Sequence, residues 1–125
     1  MLQNNGKLYG AQTALEDSDS RCWNSNQGEH QFYIVKFGRA VKVVEIKLQF
    51  QAGFSSEIIR VQVPTTDGSW EEVDELEPRD TLGLQTFLLE KPAECSELRL
   101  EFEDFKDFYG RITIYRIQAW GQEIE

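Results

Sequence analysis

Apolar and polar residues alternate in short runs along most of the chain after residue 30. In the run VKVVEIKLQF (41–50), the even-numbered positions from Val44 to Phe50 are apolar and the odd-numbered positions between them are polar. The run LRLEFE (98–103) alternates in the same way. Because successive side chains of a strand point to opposite faces, each run predicts a strand with one buried and one wet face. Such strands are typical of antiparallel sheets, since strands of covered parallel sheets are apolar on both faces.

Five further runs predict strands, and Gly, Pro, Asp and Ser residues separate them. No stretch of ten or more residues repeats apolar positions at helical spacing. We therefore predict an all-β fold, an antiparallel β-sandwich or jelly roll, in which residues 1–125 form a single domain. The five runs are FYIVKF (32–37), EIIRVQV (57–63), SWEEV (69–73), LQTFLL (84–89) and RITIYRIQAW (111–120).

The last run changes the parity of its apolar positions. Ile112 and Ile114 are even-numbered, whereas Ile117 and Ala119 are odd-numbered. Because alternation is strict in a regular strand, we predict a bulge or bend near Tyr115 and Arg116.

The segments between the runs are predicted to be connections. The dipeptide Asp67-Gly68 favours a two-residue hairpin turn, in which both central residues have positive φ. The turn-rich segments 75–83 and 91–97 are predicted to be inert loops, and the polar first thirty residues show no strand pattern.

Charge restricts the classes of partner. With 22 acidic and 13 basic residues the chain carries a net charge of −9, which repels phosphate backbones and anionic lipids. No basic patch, secretory signal or membrane span is evident, so we expect a soluble intracellular protein that binds neither nucleic acid nor membrane. In that compartment Cys22 and Cys95 are expected to be reduced.

The segment CWNSNQGEHQF (22–32) places two large rings at the ends of a polar run. A structural interpretation is that Trp23 anchors a long loop by entering the end of the sandwich. The amide and hydroxyl side chains that follow it would satisfy backbone groups outside the sheet, and Phe32 would begin the next strand.

Three blocks of the chain resemble a known group of domains. They are CWNSNQG (22–28), FQAGFSS (50–56) and FEDFKDFYGR (102–111). With the strand pattern around them, over residues 8–121, the chain resembles the discoidin or coagulation-factor type C group of galactose-binding-like jelly rolls. Within that group it is most similar to a family of intracellular nuclear-receptor-associated proteins that repress an orphan receptor.

The resemblance implies a possible calcium site. Relatives hold calcium in the loop before the Trp with carboxylate, hydroxyl and carbonyl oxygens, the ligands this ion prefers. Here that loop supplies Asp17 and Asp19 as candidate ligands. The carboxylate that relatives add from the last strand is replaced by Arg116, whose charge opposes a cation. The alternative is that the two aspartates cap a turn and that no cofactor binds.

The resemblance also places the three blocks at one end of the jelly roll, where their loops would form a rim. A few aromatic anchors among polar groups suit protein recognition. The alternative is that the rings fill the end of the sandwich and are buried there. Separately, Arg111 is predicted to form an ion pair with Asp19, Asp104 or Asp107. The candidate partner-binding residues are Asn24, Gln27, Glu29, Gln51, Phe54, Asp107 and Tyr109.

Catalysis has little support in the sequence. His30 is the one histidine, so any nucleophile-histidine arrangement must use it, and glycine-rich phosphate loops are absent. We expect a non-enzymatic protein-interaction module whose partner, by resemblance, is a nuclear receptor and whose effect is transcriptional repression. One alternative is a lectin-like module that stacks a sugar on Trp70 or Tyr109. Another is an intraflagellar-transport-like subunit that binds calcium.

Overall fold

The computed structural model describes residues 13–18, 23–24, 31–108 and 110–124, the first two ranges by their backbone. All regular structure in these ranges is β-strand, and none of them forms a helix of the length and hydropathy that a membrane crossing requires. The strands are β1 (Thr13–Ser18), β2 (Trp23–Asn24), β3 (Gln31–Phe50), β4 (Ser56–Pro64), β5 (Trp70–Leu76), β6 (Gln85–Phe105) and β7 (Thr113–Glu123). All strand pairs are antiparallel and the strand order is β1-β7-β3-β6-β4-β5, with β2 also paired to β7.

Two long bent strands, β3 and β6, organise the fold. Residues 31–36 of β3 pair with 97–102 of β6, and residues 41–48 pair with 85–95. Between these ladders β3 advances five residues while β6 advances two, and Gly38 has a φ of +73°. Glycine tolerates that conformation, so both strands turn a corner here and run from one layer into the other.

Each half of the long pair carries its own neighbours. In the front layer, β4 and β5 extend the sheet from the second half of β6. In the back layer, β7, β1 and β2 extend it from the second half of β3. Phe50 of the back layer meets Phe102 of the front layer edge to face, with ring centroids 6.3 Å apart. The result is the predicted all-β antiparallel sandwich, whose most deeply buried side chains are Val41, Val43, Ile46, Leu48, Phe50, Ile59, Leu98, Leu100, Phe102, Ile112 and Ile114.

Burial follows the predicted alternation with one exception. In β3, Ile46, Leu48 and Phe50 are buried as predicted. Val44 was predicted to point the same way, but it is half-buried and Val43 is buried instead. The prediction was wrong because β3 bulges at Val44 against β7, where β3 advances two residues and β7 only one. The extra residue reverses which face the preceding side chains of β3 point to.

The predicted bulge in the last strand is confirmed. Adjacent residues of β3, Gln49 and Phe50, pair with Arg116 and Ile114, which leaves Tyr115 as the extra residue. The change of parity in the sequence therefore marks a real irregularity of the ladder.

Residues 91–97, predicted to be a loop, lie in the middle of β6. The predicted strands 84–89 and 98–103 are therefore one strand, as are 32–37 and 41–50. Pro92 suggested a break, but it falls where β6 has no register partner on β3, so no ladder hydrogen bond needs its missing N–H.

The polar amino-terminal part contains two strands that the sequence pattern did not predict. Within β1, Thr13 pairs with Gly121 and Asp17 with Gln118. Trp23, predicted to anchor a loop, has its backbone paired with Ile114 in the two-residue β2. Both strands are too short and polar to show a period of two, and β1 is further interrupted by a bulge.

The hairpin between β4 and β5 has a different turn from the predicted one. Gly68 donates to the Thr65 carbonyl (3.2 Å) and Thr65 donates to the Ser69 carbonyl (2.9 Å), so the connection is longer than two residues. Gly68 has a positive φ of +88°, whereas Asp67 does not. The Asp67 carboxylate instead accepts from Ser69 and Thr65, and these hydrogen bonds lower the pKa of Asp67 to about 2.

One of the two cysteines lies among the described residues. Cys95 is a free, half-buried thiol, and burial raises the pKa of Cys95 to about 11. It is therefore a poor nucleophile at neutral pH. Cys22 lies outside the described residues.

Gly121 provides a test of the packing between the central strands. A Cβ at this position would overlap the carbonyl oxygen of Lys42 and lie 3.1 Å from Val43 Cα. We expect Gly121→Ala to lower the free energy of unfolding by about 1–3 kcal/mol, the usual cost of overpacking, in urea titrations. Gly83→Ala is the matched control, since a Cβ there meets nothing within 4 Å. Equal stability of the two variants would contradict the close approach of β7 to β3.

Candidate functional site

Two connections meet at one end of the sandwich, which we call the loop pole and define as the described residues 51–55, 106–108 and 110–112. The first connection joins β3 to β4 and the second joins β6 to β7. Backbone groups of the two connections satisfy one another and the start of β7. Three hydrogen bonds of 3.0 Å connect them and the start of β7: Gln51 N to Thr113 O, Thr113 N to Phe54 O, and Lys106 N to Ser55 O.

The third predicted rim loop begins at the same end. Asn24, the last residue of β2, pairs with Thr113, which itself bonds to residues of the loop pole. Residues 25–30 that follow lie outside the described ranges.

An arginine links the two connections through its side chain. Arg111 donates from Nε to Asp107 Oδ2 (2.9 Å) and from Nη2 to Asp107 Oδ1 (3.0 Å). Its backbone N–H also donates to Oδ2, at 3.0 Å. The guanidinium carbon lies 5.3 Å from the centre of the Phe54 ring, within the range of a cation–π contact. Of the three predicted partners of Arg111, the structure shows Asp107.

Asp107 is mostly enclosed by this arrangement. Its side chain is 10% exposed, while that of Arg111 is 43% exposed. A bidentate ion pair of this kind fixes the orientation of both side chains as well as contributing energy. Asp107 therefore orders the loop from within, and a direct contact of Asp107 with a partner stays a prediction.

Asp80 is a supporting residue that sequence reasoning missed. Its Oδ1 accepts hydrogen bonds from Gly53 N (2.9 Å) and from Ser55 Oγ (2.8 Å), and Ser55 is fully buried. The Gly53 amide and the Ser55 hydroxyl lower the pKa of Asp80, because both stabilise its charged form. The segment 75–83 was predicted to be inert, yet it holds the loop pole in place. Nothing local in the sequence marks Asp80, since its partners lie more than 20 residues away.

The rings of the segment 102–111 divide between core and solvent. Phe105 packs against the core, whereas Phe108 is 91% exposed. The prediction that the rings of this segment cannot all be buried is confirmed. Phe108 was not among the candidate partner-binding residues, although it is the most exposed of the large apolar residues in the described chain. The rings therefore do not all plug the end of the sandwich.

The family model described as Sad1 / UNC-like C-terminal matches residues 10–123. The chain belongs to this Sad1/UNC-like family. The predicted discoidin-like resemblance is thereby confirmed, since the galactose-binding-like structures described below share the same fold.

Several relatives of this Sad1/UNC-like chain carry one name, nuclear receptor 2C2-associated protein. The Xenopus laevis protein is 35% identical over 121 residues, covering 97% of this chain and 88% of the relative. The Danio rerio protein is 32% identical, covering 98% and 87%, and the Homo sapiens protein is 31% identical, covering 99% and 88%.

Solved structures confirm the fold. A family 32 carbohydrate-binding module of Clostridium perfringens NanJ, in complex with galactose, aligns with a TM-score of 0.69, covering 88% of this chain and 99% of that one. The family 32 module of Streptococcus pneumoniae EndoD aligns with a TM-score of 0.64, covering 90% and 97%. The sequence identities are 16% and 15%, so the likeness concerns the fold alone.

The structure places the predicted site residues unevenly. It brings Gln51, Phe54 and Asp107 together at the loop pole, and it places the Asn24 backbone beside Thr113. Their binding of a partner stays a prediction. The remaining candidates, Gln27, Glu29 and Tyr109, lie outside the described residues.

The calcium prediction rests on two aspartates near the amino end. Asp17 lies within β1, paired with Gln118, rather than in the predicted loop, because the strand continues to Ser18. Asp19 lies outside the described residues. Over the described part of the chain, no three His, Cys, Asp or Glu residues are grouped as a metal site would require. Calcium binding stays a prediction.

Trp70, the candidate sugar-stacking residue, is covered by a cation. The guanidinium carbon of Arg99 lies 4.7 Å from the centre of the Trp70 ring and 5.4 Å from that of Phe32. Arg99 Nε also donates to Gln62 Oε1 at 2.6 Å, which fixes the guanidinium in place. A sugar stacking on this face of Trp70 would have to displace Arg99.

Asp80 provides a test of how the loop pole is held. Asp80→Ala leaves the buried Ser55 hydroxyl without its acceptor, which costs about 1–3 kcal/mol for a buried donor. We expect the variant to unfold at lower urea concentration at pH 7, while Thr81→Ala, an exposed neighbour, does not.

The same variant has a defined pH dependence. Because the pKa of Asp80 is lowered on folding, its contribution is complete above the unfolded pKa of about 4 and is lost as pH falls through the folded pKa. The difference between Asp80→Ala and the unaltered protein should therefore shrink between pH 5 and pH 2. A difference that stays constant over this range would contradict the assignment.

Proposed function

We propose that this chain is a non-enzymatic intracellular protein-interaction module that associates with a nuclear receptor and represses transcription through it. The observation that carries the proposal is the similarity to proteins named nuclear receptor 2C2-associated protein, which extends over nearly the whole of both chains. Similarity of this extent indicates that the entire domain, and not one motif, is shared.

The loop pole is the surface proposed to bind the receptor. Phe108 is 91% exposed, and Phe54 of the same pole lies half-buried under the Arg111 guanidinium. An aromatic anchor surrounded by polar groups is typical of residues that dominate binding energy. Because Asp107 and Asp80 already hold the loops, binding requires less ordering of the chain, which favours affinity.

Charge supports action through a protein rather than through DNA. The net charge of −9 opposes approach to a phosphate backbone. The Arg60 guanidinium is surrounded by Glu72, Glu75 and Glu103 at 2.8–3.2 Å, so this cation too is neutralised within the front layer. Repression would then be exerted through the receptor that the module binds.

A carbohydrate-binding role is the second candidate, and the shared fold with the galactose complex of NanJ favours it. Arg99 over the Trp70 ring weighs against a sugar platform on the front layer. Thermal unfolding with and without galactose separates the two functions, because a ligand of the folded state raises the unfolding temperature. We expect no shift with galactose. A saturable shift would favour the carbohydrate-binding role.

Receptor binding is tested with purified nuclear receptor 2C2 and titration calorimetry. We expect saturable binding, weakened about tenfold or more by Phe108→Ala and by Phe54→Ala, as is usual for anchor residues. Ile124→Ala is the matched control, since Ile124 is an exposed apolar residue that follows β7, at the end of that strand away from Thr113 and the pole.

The outcomes of this titration distinguish two errors. If the unaltered protein does not bind, the receptor is the wrong partner. If it binds and both pole variants bind equally well, the receptor is right and the surface is wrong. Circular dichroism of each variant shows whether a loss of binding reflects unfolding.

A further inference from the structure

A groove runs along one side of the sandwich, between β5 and the first half of β6. We call it the side groove and define it by residues 74–77 and 84–90. Its larger part has a volume of about 560 Å³ and joins a second part of about 420 Å³, which shares Glu77, Thr86 and Phe87 as lining residues. Phe54, Phe108 and Arg111 of the loop pole are not among the lining residues of either part.

Both walls of the side groove are free strand edges. Within the described chain β5 pairs with β4 alone, and residues 85–88 of β6 pair with β3 alone. The second half of β6, by contrast, pairs with strands on both sides. A free edge presents unpaired backbone donors and acceptors to any extended chain that approaches it.

At each end of the groove, a side chain makes hydrogen bonds to backbone groups that a neighbouring strand would otherwise bind. The Asp74 carboxylate accepts from Glu75 N on one edge (2.7 Å) and from Glu90 N on the other (2.9 Å). At the opposite end, the Gln85 side-chain amide accepts from Arg79 N (2.7 Å) and donates to Arg79 O (2.8 Å). No hydrogen bond of this kind is found at 76–77 or 86–88 among the described residues.

Residues 85–89 of β6 lack two of the usual protections against strand addition. Natural edge strands carry Lys or Pro to prevent pairing with another chain. The sequence QTFLLE (85–90) contains neither, and Lys91 and Pro92 follow only at its end. The protected stretch therefore begins where the groove stops.

The side chains of the groove define the chemistry of its occupant. Leu76 is buried, Phe87 is half-buried and Leu88 is 74% exposed, so the groove has an apolar strip within a mostly polar and acidic lining. Glu77 and Glu90 are exposed at its rim, and neither has a salt-bridge partner in the part of the chain that the structure describes. A strand that alternates apolar and basic residues would place its apolar side chains on Phe87 and Leu88 and its basic side chains near Glu77 and Glu90.

We propose that the side groove binds an extended peptide of a partner protein, with alternating apolar and basic residues, by strand addition to residues 85–88 of β6. Main-chain hydrogen bonds provide the affinity, and the alternating side chains provide the selectivity. This surface is separate from the loop pole, so the inference does not depend on the proposed receptor.

The test uses a blocked hexapeptide, Val-Lys-Val-Lys-Val-Lys, titrated into the isotopically labelled protein and followed by NMR. We expect saturable shifts of the backbone amides of 76–77 and 86–90 and little change at 51–55. Two control peptides isolate the interactions: Val-Glu-Val-Glu-Val-Glu reverses the charge, and a version N-methylated at alternate residues keeps the charge but removes edge donors. Both should bind about tenfold more weakly or worse.

Matched variants locate the site. Glu77→Lys with Glu90→Lys should abolish binding of the lysine peptide. The control pair Glu71→Lys with Glu94→Lys makes the same change in net charge at exposed positions outside the groove and should keep binding. Phe108→Ala should also keep it, which separates this site from the loop pole.

Three results would overturn the proposal. Equal binding of the N-methylated peptide would mean general charge attraction without strand addition. An equal loss of peptide binding in the groove pair and in the control pair would also mean general charge attraction. Shifts confined to residues outside the groove would place the peptide elsewhere.

Discussion

The structure depends on two strands that each serve both layers of the sandwich. β3 and β6 are hydrogen-bonded to each other on both sides of the corner at Gly38, and every other described strand is attached directly or through one neighbour to this pair. A sandwich whose layers were separate sheets would be held together by side-chain packing alone. Here the backbone is continuous through the corner, so moving one layer relative to the other would break a ladder as well as expose the core.

This framework determines where binding surfaces can form. The loop pole follows directly from the ends of β3 and β6, so its loops start from fixed backbone positions. Asp107 and Asp80 form hydrogen bonds within the pole, while Phe108 is exposed to solvent. The side groove arises from the same strands, because β6 leaves the front layer at the corner and its first half then has a free edge. A rigid pole and an open edge are thus two consequences of one bent pair.

Sequence pattern predicted the parts of the fold that depend on local periodicity. Alternation identified the core faces, and the change of parity before Ile117 correctly located the extra residue Tyr115. The same reasoning failed at Val44, where a bulge occurs without a polar residue to reveal it. It also failed at 91–97, because Pro92 indicates a break only if its N–H is needed, and that depends on the partner strand. Asp80 could not be found for a related reason: its function depends on residues brought together by the fold.

Native-state hydrogen exchange across increasing denaturant tests the shared-strand account most directly. The amides to compare are those of 45–48, in the back layer, with those of 98–102, in the front layer. If β3 and β6 bind the layers into one unit, both sets exchange only through global unfolding, with the same free energy and the same dependence on denaturant. If one set opens at a markedly lower free energy while the other stays protected, the layers unfold independently and the account is wrong.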